Sequence, residues 1–285
     1  MGLFARLKCI FSRKEPPFRL GLALGSGGAK GMAHLGAIKA FEEAGLVFSF
    51  VTGASIGGIV GALYAKGYSS ADMTGIVEGL NRKEFAKNLR PFSDLDFAER
   101  FLEQYLEGDF SSLPMPFAVW ATDGATNAGV RLSEGKLARA LTASAAIPPF
   151  FRGVDIDGRR LYDGAFTNAI PADVCRELGA DFVVGVDLSA FVPPEEERGR
   201  ISRIVGSAIN AFTPVRYTED SRSRGYNAAD IMLRPNLYDY RATDVSRAAM
   251  DSMFELGYRE AREHIGEITE KIAEAKRAKK KEKKA

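Results

Sequence analysis

The chain has 285 residues, of which 46% are hydrophobic and 27% are charged, a composition typical of a folded globular protein and not of a disordered or collagen-like one. Its 39 basic and 37 acidic residues leave a net charge of +2, too balanced for a dedicated nucleic-acid-binding protein. Two cysteines (Cys9, Cys175) and two histidines (His34, His264) argue against a disulfide framework and a zinc site. Together with the lack of a signal-peptide pattern, they predict a cytoplasmic protein without a metal or other cofactor.

Residues 1–17 have the pattern of a separate amphipathic segment. Its apolar side chains fall on one helical face with basic residues outside that face, and the apolar ones are Leu3, Phe4, Leu7, Ile10 and Phe11. Pro16 and Pro17 end any helix formed here. Two interpretations remain open, an anchor at the inner surface of a membrane or a helix packed on the following domain.

From residue 18 onward, apolar strands alternate with helices. Strands are predicted over residues 18–24, 47–52, 117–122 and 182–187, with a hairpin over 154–161. Helices are predicted over residues 32–44, 56–65, 135–145 and 171–178, and Gly45 ends the first of them. This alternation predicts an α/β fold with a largely parallel sheet that helices cover on both faces.

Two regions stand outside this alternation. Residues 68–112 are rich in charge and show no clear strand, so we expect a helical insertion near the site that could act as a lid. Residues 244–275 predict a long amphipathic helix, because apolar residues recur every three to five positions: Val245, Met250, Phe254, Tyr258, Ala261, Ile265, Ile268 and Ile272. Residues 276–285 form a basic tail that we expect to fray from this helix, either solvated or attracted to an anionic membrane surface.

The strongest short motif is Gly53-Ala54-Ser55-Ile56-Gly57. A G-x-S-x-G sequence between a strand and a helix is typical of a nucleophile elbow, in which glycines permit a sharp turn and the helix dipole favours negative charge near the serine. The uncharged stretch around it, residues 46–65, also has the length of a membrane span. Its β-branched and aromatic first part and helix-forming second part favour strand, turn and helix instead.

A second glycine-rich motif, residues 25–31, follows the first strand and opens a helix. It could hold a phosphate, or its backbone amides could form an oxyanion hole. Its spacing matches neither a P-loop nor a dinucleotide fingerprint. Its position shortly before Ser55 favours the oxyanion hole.

A nucleophilic serine needs a base, and the two histidines are poorly placed for that role. His34 lies one helical turn past the glycine-rich loop and is expected to be a core or helix-face residue. His264 lies among glutamates on a charged helix and is expected to be solvated. A Ser-His-Asp triad is therefore poorly supported, and a carboxylate becomes the candidate base.

In these motifs the sequence resembles the patatin-like phospholipase family. The resemblance rests on residues 25–31, the G-x-S-x-G motif and Asp163-Gly164-Ala165, with residues 143–151 as a fourth similar segment, and it covers about residues 18–190. It implies a three-layer α/β fold and the hydrolysis of acyl esters of lipids, often without a metal.

The resemblance also implies roles for individual residues. Ser55 would be the nucleophile and Asp163 its base, as a Ser-Asp dyad. Gly27 and Gly28 would supply the oxyanion amides, with Gly25, Lys30 and Gly31 nearby in the same loop. Ser26 departs from the family, whose members commonly have glycine at that position.

The sequence Asp-Gly-Ala occurs twice, at Asp123 and at Asp163. The family tends to place Thr-Asp at the end of the earlier strand, so Asp123 is expected to be structural. An aspartate has an ordinary pKa of about 3.9, too low for an efficient base, and burial raises it. An acyl chain that excludes water would therefore assist Asp163, which predicts a preference for apolar acyl groups.

We therefore expect an amphipathic segment over residues 1–17, a catalytic domain over 18–275 with its core at about 18–190, and a basic tail over 276–285. The expected partners are a lipid or other acyl-ester substrate and a membrane surface contacted peripherally, without nucleic acid. Two alternatives remain open. One is an esterase or thioesterase of small soluble substrates, and the other is a regulatory protein that keeps the fold without turnover.

Overall fold

The computed structural model describes residues 18–79, 94–189 and 213–282. Within these ranges, eight strands form one sheet: β1 (Leu20–Leu24), β2 (Phe50–Ala54), β3 (Phe117–Asp123), β4 (Gly129–Leu132), β5 (Val154–Ile156), β6 (Arg159–Asp163), β7 (Phe182–Val186) and β8 (Ile231–Leu233). The same ranges contain eight α-helices: α1 (Met32–Glu43), α2 (Ile56–Lys66), α3 (Ser70–Gly79), α4 (Asp96–Glu103), α5 (Leu137–Ser144), α6 (Ala172–Glu177), α7 (Ser223–Ala228) and α8 (Arg247–Glu282).

Most of the sheet is parallel. Strands β3, β2, β1, β7 and β8 lie side by side in that order and run in the same direction. Strands β4, β5 and β6 add an antiparallel part beyond them. The predicted α/β fold with a largely parallel sheet is confirmed.

Helices cover both faces of the sheet, because the strands of its centre are apolar on both sides. Leu22 and Leu24 of β1 belong to the larger core, which also contains residues of α1, α2 and α8. Ala23, between them, faces a second core built with α6 and α7. Alternate residues of one strand thus point into two different layers, which gives the three-layer architecture.

The second strand differs from its prediction. Residues 47–52 were predicted, whereas β2 begins at Phe50 and continues to Ala54. Its start is fixed by pairing, because Gly21 of β1 is opposite Phe50, while Phe48 is buried outside the strand. Its end extends to Ala54 and so includes Gly53, which the G-x-S-x-G motif predicts to be part of the turn.

The C-terminal helix is longer than predicted. Helix α8 continues through the basic residues to Glu282, so the predicted fraying after residue 275 is wrong for this part of the tail. Lys279 forms an ion pair with Asp181, and the ammonium groups of Lys276 and Lys279 lie 5.5 and 5.9 Å from the ring centre of Phe18. These contacts hold the last turns against the domain. Val245, predicted on the apolar face, precedes the helix and is 48% exposed.

The insertion over residues 68–112 contains α3, α4 and a short 3₁₀ turn (Phe110–Ser112) in its described part, without a strand there. Helix α4 is tied to α5 by an ion pair between Glu99 and Arg139. Residues 80–93 of the insertion and the predicted segment 1–17 lie outside the described residues. Among the helices in the described ranges, none is both long and apolar enough to span a membrane.

Candidate active site

Ser55 occupies a strained turn between β2 and α2. Its backbone angles are φ 54° and ψ −128°, a region that residues other than glycine rarely adopt. The Ser55 amide donates a hydrogen bond to Ser144 Oγ at 2.8 Å, and Ser144 in turn donates to the carbonyl of Trp120 at 2.6 Å. The fully buried Ser144 thus fastens the turn to β3. Ser144 lies in the family-like segment 143–151, but the sequence assigned no role to this serine, because a serine at the end of a helix does not by itself indicate a hydrogen bond to another element.

The two glycines of the motif allow backbone segments to touch around Ser55. A Cβ atom on Gly53 would lie 2.3 Å from the carbonyl oxygen of Gly57, and one on Gly57 would lie 2.1 Å from that of Leu24. A side chain at either position would therefore clash with backbone atoms. The predicted strand, sharp turn and helix are confirmed, and the interpretation of this stretch as a membrane span is wrong.

The register of β3 brings Asp163 to Ser55. Trp120 pairs with Ala54 of β2, and the next residue, Ala121, pairs with Asp163 of β6. A strand can pair with one neighbour on each of its two edges. Because β4 pairs with this same stretch of β3, β4 occupies one edge of β3, and β2 and β6 lie one after the other along the opposite edge. The two strands therefore meet end to end, with Ser55 following one end and Asp163 closing the other.

The Asp163 carboxyl group is buried and only partly satisfied. The residue is 1% exposed, and its Oδ1 accepts a hydrogen bond from the Ala165 amide at 2.8 Å. Oδ2 has no partner with hydrogen-bond geometry among the described residues. The Ser55 hydroxyl is nonetheless near enough to act on this carboxyl group, and it favours the charged form.

Burial decides the acidity of this carboxyl group. Loss of hydration raises the pKa of Asp163 to about 6, although the Ser55 hydroxyl and the Ala165 amide act in the opposite direction. The backbone of Asp163 is fixed as well, because the Thr122 hydroxyl donates to its carbonyl oxygen at 2.9 Å. The carboxyl group is therefore rigidly placed and closer to neutrality than an exposed aspartate.

Two amides of the glycine-rich loop have no hydrogen-bond partner in the described ranges of the chain. The other amides of residues 25–30 all donate: Gly25 to Val186, Ser26 to Ala169, Ala29 to Ala242 and Lys30 to Gly27. The Gly27 and Gly28 amides donate to no group of the described residues. A Cβ atom on Gly31 would lie 2.3 Å from Ile56, so the loop lies directly against the serine turn. Two free N–H groups beside a serine can stabilise an oxyanion.

Lys30 is only partly exposed. Burial lowers its pKa, partly offset by the charges of Asp187 and Asp244. These interactions place its ammonium group within reach of the Asp187 and Asp244 carboxylates.

The remaining candidates from the sequence make no hydrogen bond to the Ser55 or Asp163 side chain in the described part of the chain. Asp123 Oδ1 accepts hydrogen bonds from the amides of Ala125 and Thr126, which lower its pKa and give it the structural role that was predicted. His264 lies on α8, and its Nδ1 is 2.8 Å from the carbonyl oxygen of Glu260. The side chain is partly buried, whereas the sequence predicted a solvated histidine. His34 is fully buried, in agreement with its predicted core position.

Apolar side chains flank the carboxyl side of this site. The carbonyl of Ala146 accepts a hydrogen bond from the Asp163 amide, and the adjoining Ile147 and Phe150 are 38% and 48% exposed. Tyr217 is 64% exposed, and its ring centre lies 4.6 Å from that of Phe166. Loss of hydration at its hydroxyl and, less strongly, the charge of Asp163 raise the pKa of Tyr217 to about 12. Exposed apolar side chains that suit an apolar ligand thus lie on the segments next to the Asp163 carboxyl group.

Comparison with known proteins agrees with this architecture. The sequence model of the patatin-like phospholipase family matches residues 22–176, more than half of the chain. The chain belongs to the patatin-like phospholipase family. An uncharacterized NTE family protein of Mycobacterium tuberculosis is 32% identical over 178 residues, which cover 60% of this chain and 49% of that protein. Human patatin-like phospholipase domain-containing protein 6 is 32% identical over 190 residues, covering 60% of this chain and 13% of the human protein. The chain matches half or less of the length of these curated relatives.

Solved structures share the fold of this patatin-like chain. VipD from Legionella pneumophila superposes with a TM-score of 0.58 at 16% identity, over 88% of this chain and 67% of VipD. Human GIVD cytosolic phospholipase A2, solved in complex with methyl gamma-linolenyl fluorophosphonate, gives a TM-score of 0.50 at 12% identity, over 95% of this chain and 61% of the enzyme. At these identities the similarity concerns the fold alone.

Proposed function

We propose that this patatin-like protein is a serine hydrolase that cleaves acyl esters of lipids. Ser55 is the nucleophile, Asp163 its base, and the Gly27 and Gly28 amides form the oxyanion hole. One observation carries this assignment: a strained serine adjoins a buried carboxyl group whose Oδ2 has no hydrogen-bond partner among the residues that the structure describes. The unpaired amides beside it supply the remaining requirement of acyl transfer.

The proposed reaction proceeds in two stages. As Ser55 Oγ attacks the ester carbonyl, its proton passes to Asp163 Oδ2, and the carbonyl oxygen becomes negative against the Gly27 and Gly28 amides. The alcohol then leaves with the proton from Asp163, and the acyl group remains on Ser55. A water molecule gives a proton to Asp163 and attacks the acyl carbonyl. The fatty acid departs as the proton returns to Ser55 Oγ.

The environment of Asp163 favours this role. Its pKa of about 6 makes it a stronger base than an exposed aspartate, while it remains ionised at neutral pH. An acyl chain lying on the apolar surface near Ile147 and Tyr217 would exclude water and strengthen the base further. We infer that apolar acyl groups are preferred for this reason.

Hydrolysis should therefore increase with acyl length. On p-nitrophenyl esters from acetate to decanoate, we expect kcat/KM to rise with each added pair of methylene groups, because each one removes apolar surface from water. Initial rates below the critical micelle concentrations measure this directly, with Ser55→Ala as background, and a phospholipid and lysophospholipid panel then identifies the lipid class. A preference for acetate would favour the soluble esterase, and a lack of both turnover and fluorophosphonate labelling would favour the regulatory alternative.

The basic end of α8 lies at the opposite end of the sheet from Ser55. Lys279 pairs with Asp181, which precedes β7, and Lys276 contacts Phe18, which precedes β1. Since β1, β2 and β7 are parallel, these residues lie at the amino edge of the sheet and Ser55 follows its carboxyl edge. We propose that the tail contacts anionic membranes by this remote end and takes no part in hydrolysis.

Removing charge from the tail should therefore separate binding from turnover. At about 1 kcal/mol for each basic residue near a membrane, Lys280→Gln with Lys281→Gln should weaken binding to phosphatidylserine vesicles roughly 30-fold. Hydrolysis of dispersed p-nitrophenyl butyrate should not change. Vesicle co-sedimentation at low salt measures the binding, with the exposed Lys136 and Lys271 changed to Gln as a control pair. Equal binding of the tail variant and the wild type would contradict this attachment.

A further inference from the structure

His34 makes a single hydrogen bond to the glycine-rich loop. The residue is fully buried on the first turns of α1, and its Nε2 lies 2.7 Å from the carbonyl oxygen of Gly25. Because a carbonyl oxygen can only accept, Nε2 carries the hydrogen, and Nδ1 is the bare nitrogen, buried without a partner among the described residues. Burial lowers the pKa of His34 to about 4, so the ring is neutral at neutral pH and keeps this tautomer.

This hydrogen bond anchors the backbone just before the Gly27 and Gly28 amides. The peptide between Gly25 and Ser26 is held at both ends, by His34 at its carbonyl and by the Ala169 carbonyl at its N–H, 3.0 Å away. On the far side, the Ala29 amide donates to the Ala242 carbonyl at 2.8 Å. The Gly27 and Gly28 amides lie between these anchored peptides, which restrict the directions of the two amides although neither donates to a group of the described residues.

The Gly25 carbonyl oxygen also lies close to the backbone that follows Ser55. A Cβ atom on Gly57, in the first turn of α2, would lie 2.6 Å from the Gly25 oxygen. The oxygen is thus enclosed between the His34 ring and the backbone that follows Ser55. The hydrogen bond from His34 therefore helps to set where the glycine-rich loop lies relative to the nucleophile.

We propose that His34 is a positioning residue that aims the Gly27 and Gly28 amides at the carbonyl oxygen of an ester bound at Ser55. This role rests on the hydrolase activity proposed above. An oxyanion donor acts only within about 2.7–3.1 Å of the oxygen it stabilises, so a small displacement of the loop weakens the transition state. Binding of the acyl chain, which involves other residues, is then little affected.

Replacing His34 should separate kcat from KM. His34→Leu removes the donor and keeps apolar bulk, and we expect kcat on p-nitrophenyl octanoate to fall roughly 10-fold to 100-fold with KM within about twofold of the wild type. His34→Gln places an amide N–H at a similar reach and should recover most of kcat. A purely structural role would instead lower the thermal midpoint of both variants without this recovery.

A second pair of variants keeps the test decisive if His34→Leu does not fold. The amide of His34→Asn is one carbon shorter than that of His34→Gln and should not reach Gly25, so low kcat with Asn and high kcat with Gln supports positioning. A wild-type kcat in His34→Leu, or equal losses in the Asn and Gln variants, overturns it. Ser55→Ala is measured in parallel: if it still hydrolyses the ester, the proposed function itself is wrong, whereas an inactive Ser55→Ala beside fully active His34 variants contradicts only this inference.

Discussion

Ser55→Ala is expected to reduce hydrolysis of p-nitrophenyl octanoate by about four orders of magnitude or more. The reason is that the variant lacks the oxygen that would form the acyl-enzyme, while the Gly27 and Gly28 amides and the Asp163 carboxyl group stay in place. Only electrostatic stabilisation of attack by water remains. Steady-state rates on the purified chain measure this loss, and the residual rate defines the background of every other assay.

The same substitution at a remote serine provides the control. Ser111 lies exposed in the short turn Phe110–Ser112, before β3 and away from the carboxyl edge of the sheet. Ser111→Ala should keep the wild-type rate and the wild-type thermal midpoint. A Ser55→Ala variant as active as Ser111→Ala would contradict the assignment of the nucleophile.

Asp163→Asn is expected to lower kcat by about 10²- to 10⁴-fold, the usual contribution of a general base. An asparagine retains an oxygen that can accept from the Ala165 amide, so the turn after β6 should persist. What it loses is the ability to take the Ser55 proton. The wild-type rate should rise with pH through about 6, since Asp163 must be ionised to act, and this titration should be missing from the residual activity of the variant.

The same variant should be more stable than the wild type at high pH. The folded-state pKa of Asp163, about 6, lies above the ordinary aspartate value of about 3.9, so between these pH values the unfolded chain loses a proton that the folded chain keeps. The free energy of unfolding of the wild type therefore falls as pH rises from about 4 to 6. Above pH 6 the wild type is destabilised by the full cost of ionising the buried Asp163 carboxyl group, about 3 kcal/mol. Asp163→Asn has no charge at this position and avoids that cost. Below pH 4 the two proteins should be equally stable.

Urea unfolding at pH 4 and pH 8 measures this difference, and Asp123→Asn is the matched control. Asp123 also begins an Asp-Gly-Ala sequence, but amide hydrogen bonds lower its pKa, so its ionised form is favoured in the folded state. Asp123→Asn should therefore keep activity and gain no stability at pH 8. If Asp123→Asn loses activity and Asp163→Asn keeps it, the two roles have been assigned the wrong way round.

The serine turn and the glycine-rich loop could be predicted from the sequence because each depends on contiguous residues. Gly53 and Gly57 bracket Ser55 at the spacing that the backbone contacts require. Likewise, the free amides of Gly27 and Gly28 lie in one short segment between β1 and α1. Local geometry of this kind is present in the order of the residues.

Features that depend on strand register or long-range pairing could not be predicted in this way. Local chemistry does not distinguish Asp123 from Asp163, and only the pairing of Ala121 with Asp163 brings the latter to the serine. Ser144 acts through hydrogen bonds to two other elements, and its type and position carry no signal of that role. The ordered basic end of α8 likewise depends on Asp181, a residue nearly a hundred positions away.

The most direct test of the central claim is the site at which a fluorophosphonate probe reacts. Wild-type protein is incubated with an alkyl fluorophosphonate, digested, and its peptides are mapped by mass spectrometry. The account predicts one phosphonyl adduct on Ser55, much slower labelling of Asp163→Asn, and none at that position in Ser55→Ala. An adduct on another serine, or ester hydrolysis that persists while Ser55 stays unmodified, would contradict it.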